Sequence, residues 1–239
     1  MIAALELKKL KRTGSLFLTL AAAAVSAMFP ILNTAVRSEQ FVRQQDAPLN
    51  ILLDANWELM SMINMLFLLC LSCLIYHTEY AGNANTKMDT LPFSPSLSFL
   101  AKLMVLILAA IAVLMIEYAA LAFCIIQWFP SAIPGPALAA LLAKNLAWSA
   151  WQLLPVCTLM LTIAYAFKNM WIPLGIGVIC IFTATMLTSF DAFPILALFP
   201  FALPLKTFLA AGLQSLAPAG IETFIFFIIE MLLIHIRRR

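Results

Sequence analysis

The chain has 239 residues, of which 64% are hydrophobic and 10% charged, with a formal net charge of +3 and a mean hydropathy of +1.02. Soluble domains carry about 25% charged residues, so a water-soluble fold is excluded and lipid must be the main solvent. No basic face of the kind that nucleic acid requires is legible, so that class of partner is not expected.

In chain order, the first stretch, MIAALELKKLKR, interleaves Leu5, Leu7 and Leu10 with Lys8, Lys9, Lys11 and Arg12. That pattern predicts an amphipathic helix over 1–13 lying on an anionic membrane face. A signal peptide is the competing reading, since the basic start is followed by an apolar run and the small residues Val25-Ser26-Ala27. The apolar run continues through Met28 to Leu32, which favours an uncleaved span. Apolar runs then predict an all-α integral membrane protein, a single transmembrane domain over 1–239, with six spans at 14–36, 57–76, 103–128, 137–167, 171–190 and 219–236. Within the first span, Ala22/Ser26 and Ala23/Ala27 are small-xxx-small pairs that allow close helix approach. Pro155 is expected to kink the fourth. After the fifth, Pro194, Pro200, Pro204 and Pro218 break an apolar stretch into a re-entrant or interfacial hairpin.

Six spans place both termini on one side. With that arrangement Lys8, Lys9, Lys11, Arg12, Lys87, Lys102, Lys168, Arg237, Arg238 and Arg239 fall inside, and Arg37, Arg43, Lys144 and Lys206 outside, ten against four of the 14 basic residues. The excess assigns both termini to the cytoplasm.

Familiar catalytic patterns are missing from the sequence. None of the seven glycines opens a G-x-x-x-x-G-K-[ST] phosphate loop, and there is no H-E-x-x-H or G-x-S-x-G. No catalytic residue, resident metal or cofactor is expected in this chain. The five cysteines lie in apolar runs and read as small buried hydrophobes, Cys70-x-x-Cys73 having no second pair beside it. Glu117 and Glu230 fall inside spans, where an ionisable residue is a functional candidate by default. The competing account of each is an interhelical hydrogen bond or a carboxyl kept neutral by desolvation.

The longest polar interval on the basic side is 77–102. Gly82 and the asparagines beside it permit a turn, and Thr86 to Thr90 can form one or two helical turns ended by Pro92. Glu79-Tyr80, Gly82, Thr86-Lys87-Met88-Asp89, Leu91-Pro92-Phe93-Ser94 and the downstream Lys102 together resemble the first intracellular loop of type-2 ABC exporter permeases. The basic amphipathic start, the six spans and the Pro-rich hairpin before the last are similar to the lantibiotic immunity and bacitracin-resistance permeases. Pro95 departs from that pattern, where many relatives carry Arg or Lys after the Ser.

The resemblance implies a coupling helix in loop 77–102 seated in a groove of a cytosolic ATPase subunit. ATP and Mg would be bound by that partner and not by this chain. It further implies a second permease, a different chain rather than a second copy, in a bacterial plasma membrane, with lantibiotic-type antimicrobial peptides expelled from the lipid. Two rival functions follow from the residues: an ion-coupled secondary transporter using Glu117 and Glu230, or a non-transporting membrane sensor or scaffold subunit.

Overall fold

A computed structural model describes residues 14–81, 95–129, 134–188 and 199–237. It contains helices α1 (Ser15–Val42), α2 (Pro48–Ala81), α3 (Pro95–Trp128), α4 (Gly135–Ala166), α5 (Trp171–Thr188), α6 (Phe208–Ala211) and α7 (Leu216–Arg237), with a 3-10 turn at Gly212–Ser215. No strand occurs among the described residues. Six stretches are long and apolar enough to cross a membrane, the last of them counting α6 through α7 as one. The fold is thus an all-α membrane bundle. The predicted amphipathic helix over 1–13 and coupling helix over 86–90 lie outside the described residues.

The helix starts follow from local chemistry. α2 and α3 each open on a proline, Pro48 and Pro95, whose fixed φ suits the first helical position and whose missing N–H would have no intrahelical partner there. α4 carries a proline in its first turn for the same reason. α5 is capped by Asn169, whose Oδ1 accepts the Trp171 backbone N–H at 3.0 Å. Pro218 falls in the first turn of α7 and so does not delay it; the helix begins at Leu216, three residues before the predicted span.

Three helices outrun their apolar segments. α2 and α3 have 34 residues each, about 51 Å at 1.5 Å per residue, against about 30 Å of hydrocarbon. The polar residues Asn50, Asp54 and Asn56, which precede the apolar run at 57–76, belong to α2. α1 continues to Val42, and its break falls at Arg37 (φ −115°, ψ 20°) and not at Pro30. α4 runs as one helix through Pro155.

α2 packs against α1, α3, α4 and α5, while α4 also joins α3 and α7. α1 approaches through the small stripe Ala23, Ser26, Ala27 and Pro30, all buried, and turns Phe17, Leu20 and Val36 outward. Outward-facing apolar side chains also include Ile126, Ile179 and Met186, a surface suited to lipid. In lipid such helices associate by close packing and polar contacts more than by hydrophobic transfer.

The α2–α5 contact depends on Gly177. A Cβ there would lie 2.4 Å from Leu69 Cδ1, whereas Gly175 has open space. Gly177→Val is therefore expected to destabilise the detergent-purified protein by about 1–3 kcal/mol, and Gly175→Val to leave it unchanged, as read from unfolding midpoints. Equal midpoints for the two variants would show that Leu69 yields freely.

The proline-rich stretch before α7 is described from Phe199 onward, residues 189–198 lying outside the described set. Residues 200–205 form successive turns, and Phe201, Ala202, Leu203 and Leu205 are buried. The carbonyl of Pro204 accepts Trp57 Nε1 at 2.9 Å and Ser61 Oγ at 2.7 Å. This irregular backbone is seated on the third and fourth turns of α2, where protein groups satisfy it in place of water. Gly212 (φ 57°, ψ −159°) then turns the chain from α6 into the 3-10 segment, a conformation open essentially to glycine.

Candidate functional site

The loop proposed to receive an ATPase is entered by the C-terminal turn of α2 and left by the first turns of α3. Tyr76, Glu79 and Tyr80 stand at i, i+3 and i+4, so they share one face of α2. Ser98 and Lys102 are likewise one turn apart on α3. The two faces meet. Lys102 Nζ lies 2.9 Å from Glu79 Oε1, with the side chains only 3% and 8% exposed. The same ammonium donates to Ser98 Oγ at 2.7 Å and sits 5.3 Å above the Tyr76 ring. A buried ion pair is sustained only when further contacts compensate its lost hydration; here a hydroxyl and an aromatic face do so.

The clasp extends to α4. Tyr80 donates its hydroxyl hydrogen to the Tyr165 carbonyl at 2.8 Å, one of the carbonyls that the end of a helix leaves without an intrahelical partner. The Tyr76 ring stacks with Tyr80 at 6.3 Å and tilts against Tyr165 at 5.8 Å. Glu230 of α7 is fully buried. Phe227, one turn earlier on α7, contacts Phe99 of α3 at 6.3 Å. Four helices therefore converge where the loop is anchored.

Of the loop residues singled out by sequence, Glu79 and Tyr80 are described and both join this cluster. Gly82, Thr86, Lys87, Met88, Asp89, Leu91, Pro92, Phe93 and Ser94 lie outside the described residues. Sequence reasoning missed Tyr76, Ser98 and Tyr165. The i, i+3, i+4 spacing of Tyr76, Glu79 and Tyr80 was the available signal; nothing in the sequence pointed to Tyr165.

Glu117 is elsewhere. It is fully buried on α3, accepting at Oε1 from the Ser26 hydroxyl of α1 and at Oε2 from Asn64 Nδ2 of α2, the latter at 2.9 Å. Asn33 of α1 donates to Asn56 of α2 at 2.7 Å, adding a second polar tie between the same two helices. Both carboxylate oxygens are thus engaged in joining α1, α2 and α3.

Among the described residues no group of three or more His, Cys, Asp or Glu could hold a metal ion. All five cysteines are free thiols. Among the described residues, the Glu79–Lys102 cluster joins α2, α3 and α4 on either side of the interval 82–94.

Neither the curated proteins nor the solved structures compared with the chain give a match. A family model described as ABC-2 family transporter protein matches residues 2–184. That match spans α1 to most of α5, together with the whole interval that the Glu79–Lys102 clasp encloses. Covering well over half of the 239 residues, it places the chain in the ABC-2 family of transporter membrane proteins, as a membrane-spanning permease.

Proposed function

We propose that this permease exports lantibiotic-type antimicrobial peptides from a bacterial plasma membrane, with both termini cytoplasmic. Family membership supplies the coarser part: a multi-pass subunit of an ABC transporter that works with an ABC ATPase. The finer part combines the loop motif with the clasp beneath it. ATP and Mg are held by the ATPase, which docks on loop 82–94; closure of the ATPase pair pushes that loop and the N-terminal segment as levers. The pore is completed by a second, different permease, and the peptide passes between the two as they rock.

The single observation carrying the mechanical role is the buried Glu79–Lys102 pair. A loop tied at both ends to a dense cluster transmits displacement; a loop on free ends would absorb it. Force entering there reaches α2 and α3 through the pair, α4 through Tyr80 and Tyr165, and α7 through Phe99 and Phe227.

Replacing Met88 to Pro92 with a Gly/Ser linker tests the reading. Peptide efflux from cells, and stimulation of the ATPase by peptide in the reconstituted complex, should both be lost while membrane insertion is kept. Undiminished efflux would remove the coupling role from the loop.

A further inference from the structure

An open cleft of about 260 Å³ runs between α4 and α7, walled by Trp151 and Leu154 of α4, Phe224 and Phe227 of α7 and Leu103 of α3. Trp151 is 43% and Phe224 64% exposed, so the cleft opens at the surface of the bundle, between two helices that are long and apolar enough to span lipid. The polar hydrogens in its wall are already engaged. Trp151 Nε1 donates to the Leu216 carbonyl at 3.0 Å, Thr158 Oγ1 to the Pro155 carbonyl at 2.9 Å and Thr223 Oγ1 to the Ala219 carbonyl at 2.7 Å. The surface left to an occupant is almost wholly hydrocarbon. Because α7 joins the bundle chiefly through α4, the cleft lies along the seam that holds the last helix.

A cation stands above it on the same helix face. Lys144 precedes Trp151 by two helical turns, and Lys144, Ala147 and Trp151 form one exposed stripe of α4. At 1.5 Å per residue the stripe leads about 10 Å along the axis from the lysine to the cleft. α4 has 32 residues, about 48 Å against about 30 Å of hydrocarbon. Lys144, about 14 Å from the start of the helix, is therefore within snorkelling reach of the lipid headgroups. Its Nζ rests 4.4 Å over the Phe208 ring, and Lys206, also exposed, precedes that ring by two residues. Among the described residues the ion pairs are Glu39–Arg43 and Glu79–Lys102, so neither Lys144 nor Lys206 has a carboxylate partner there.

We propose that this seam binds one anionic phospholipid, its phosphate at Lys144 with Lys206 beside it and one acyl chain lying in the α4–α7 cleft. At about 30 Å³ per methylene-sized group the cleft takes roughly nine carbons, which is part of an acyl chain; the open side lets the rest continue into the bilayer. Charge and shape act on the same molecule. A soluble anion meets the lysines and leaves the cleft empty, whereas a zwitterionic lipid fills the cleft and is drawn less strongly to the lysines. The bound chain packs against both helices, so it braces α7 on α4 in a setting where close packing holds helices together. This site goes beyond the export reading and does not depend on which substrate is carried.

The test uses the full chain in a neutral detergent and a phosphatidylglycerol probe carrying a diazirine midway along one chain, with crosslinked peptides mapped by mass spectrometry. Crosslinks are expected on α4 and α7 around Trp151 and Phe224. Unlabelled phosphatidylglycerol should suppress them about fivefold more effectively than phosphatidylcholine with the same chains, the worth of one lysine beside an anionic headgroup. Lys144→Gln should abolish most of that preference, while Lys144→Arg retains it. A Cβ at Gly220 would lie 3.4 Å from the Trp151 ring, so the longer side chain of Gly220→Leu enters the cleft and should remove most of the crosslinking whatever the headgroup. Phe224→Ala, at an exposed position, takes away one wall; it carries the same expectation and replaces Gly220→Leu should that variant not purify intact. Equal suppression by the two lipids, an unchanged preference in Lys144→Gln, suppression by inorganic phosphate as strong as by phosphatidylglycerol, or full crosslinking in an intact cleft variant would each overturn the proposal. No ATPase or exported peptide is needed for this readout, so loss of the export reading leaves it standing.

Discussion

Lys102→Met is expected to destabilise the purified permease by about 3–5 kcal/mol, the cost of leaving a buried carboxylate without its counter-charge, and to abolish peptide stimulation of the partner ATPase. Both losses have the same origin. The ammonium meets Glu79, Ser98 and the Tyr76 ring together, and a thioether can meet none of them as a cation does. The double variant Glu79→Gln/Lys102→Met removes the stranded charge and should recover more than half of the lost stability, because a neutral pair of similar volume is tolerated where one lone charge is not. Coupling should stay lost in the double variant, since the ends of the loop remain untied. SDS-titrated unfolding in mixed micelles reads the first effect, and ATPase assays on the reconstituted complex read the second. A Lys102→Met protein that unfolds like the parent would mean that the pair carries little net energy; a double variant with full coupling would mean that the tie is dispensable.

The second large effect is expected at Glu117. Glu117→Ala strands the Ser26 hydroxyl and the Asn64 amide and leaves a void where α1, α2 and α3 meet. Orphaned donors and lost packing together should cost about 2–4 kcal/mol. Glu117→Gln keeps the shape and one acceptor, so export should stay close to that of the parent. This comparison separates the two accounts of a buried acid. If the Gln variant loses export as fully as the Ala variant while remaining folded, the proton on that carboxylate matters, and an ion-coupled mechanism returns to consideration.

Much of the bundle was legible because lipid imposes a simple rule: about twenty apolar residues span, and hydropathy finds them. The same rule explains where the reading fell short. Hydropathy registers contact with lipid and is blind to helix continuity, so it starts the second span at Trp57, although α2 begins at Pro48 and its Asn56 serves the contact with Asn33 of α1. Glu79 and Lys102 were both visible as elements of a motif. Their pairing was not, because a sequence does not show which of several acids a lysine will meet once helices fold back on one another. Glu222 was not singled out from the sequence; the packing of α7 on α4 leaves it buried.

The placement of the clasp also fixes when it can form. Glu79 and Lys102 belong to neighbouring helices joined by one short loop, so the hairpin α2–α3 can close its ion pair while the ribosome is still making α4. Tyr165 joins next, and Phe227 and Glu230 arrive only with the last helix. The seat for the motor is therefore among the first tertiary features the nascent chain can complete. The α4–α7 contact is among the last. A chain arrested after α3 should already hold the Lys102 ammonium out of reach of amine-reactive reagents, before Tyr165 and Phe227 have been made.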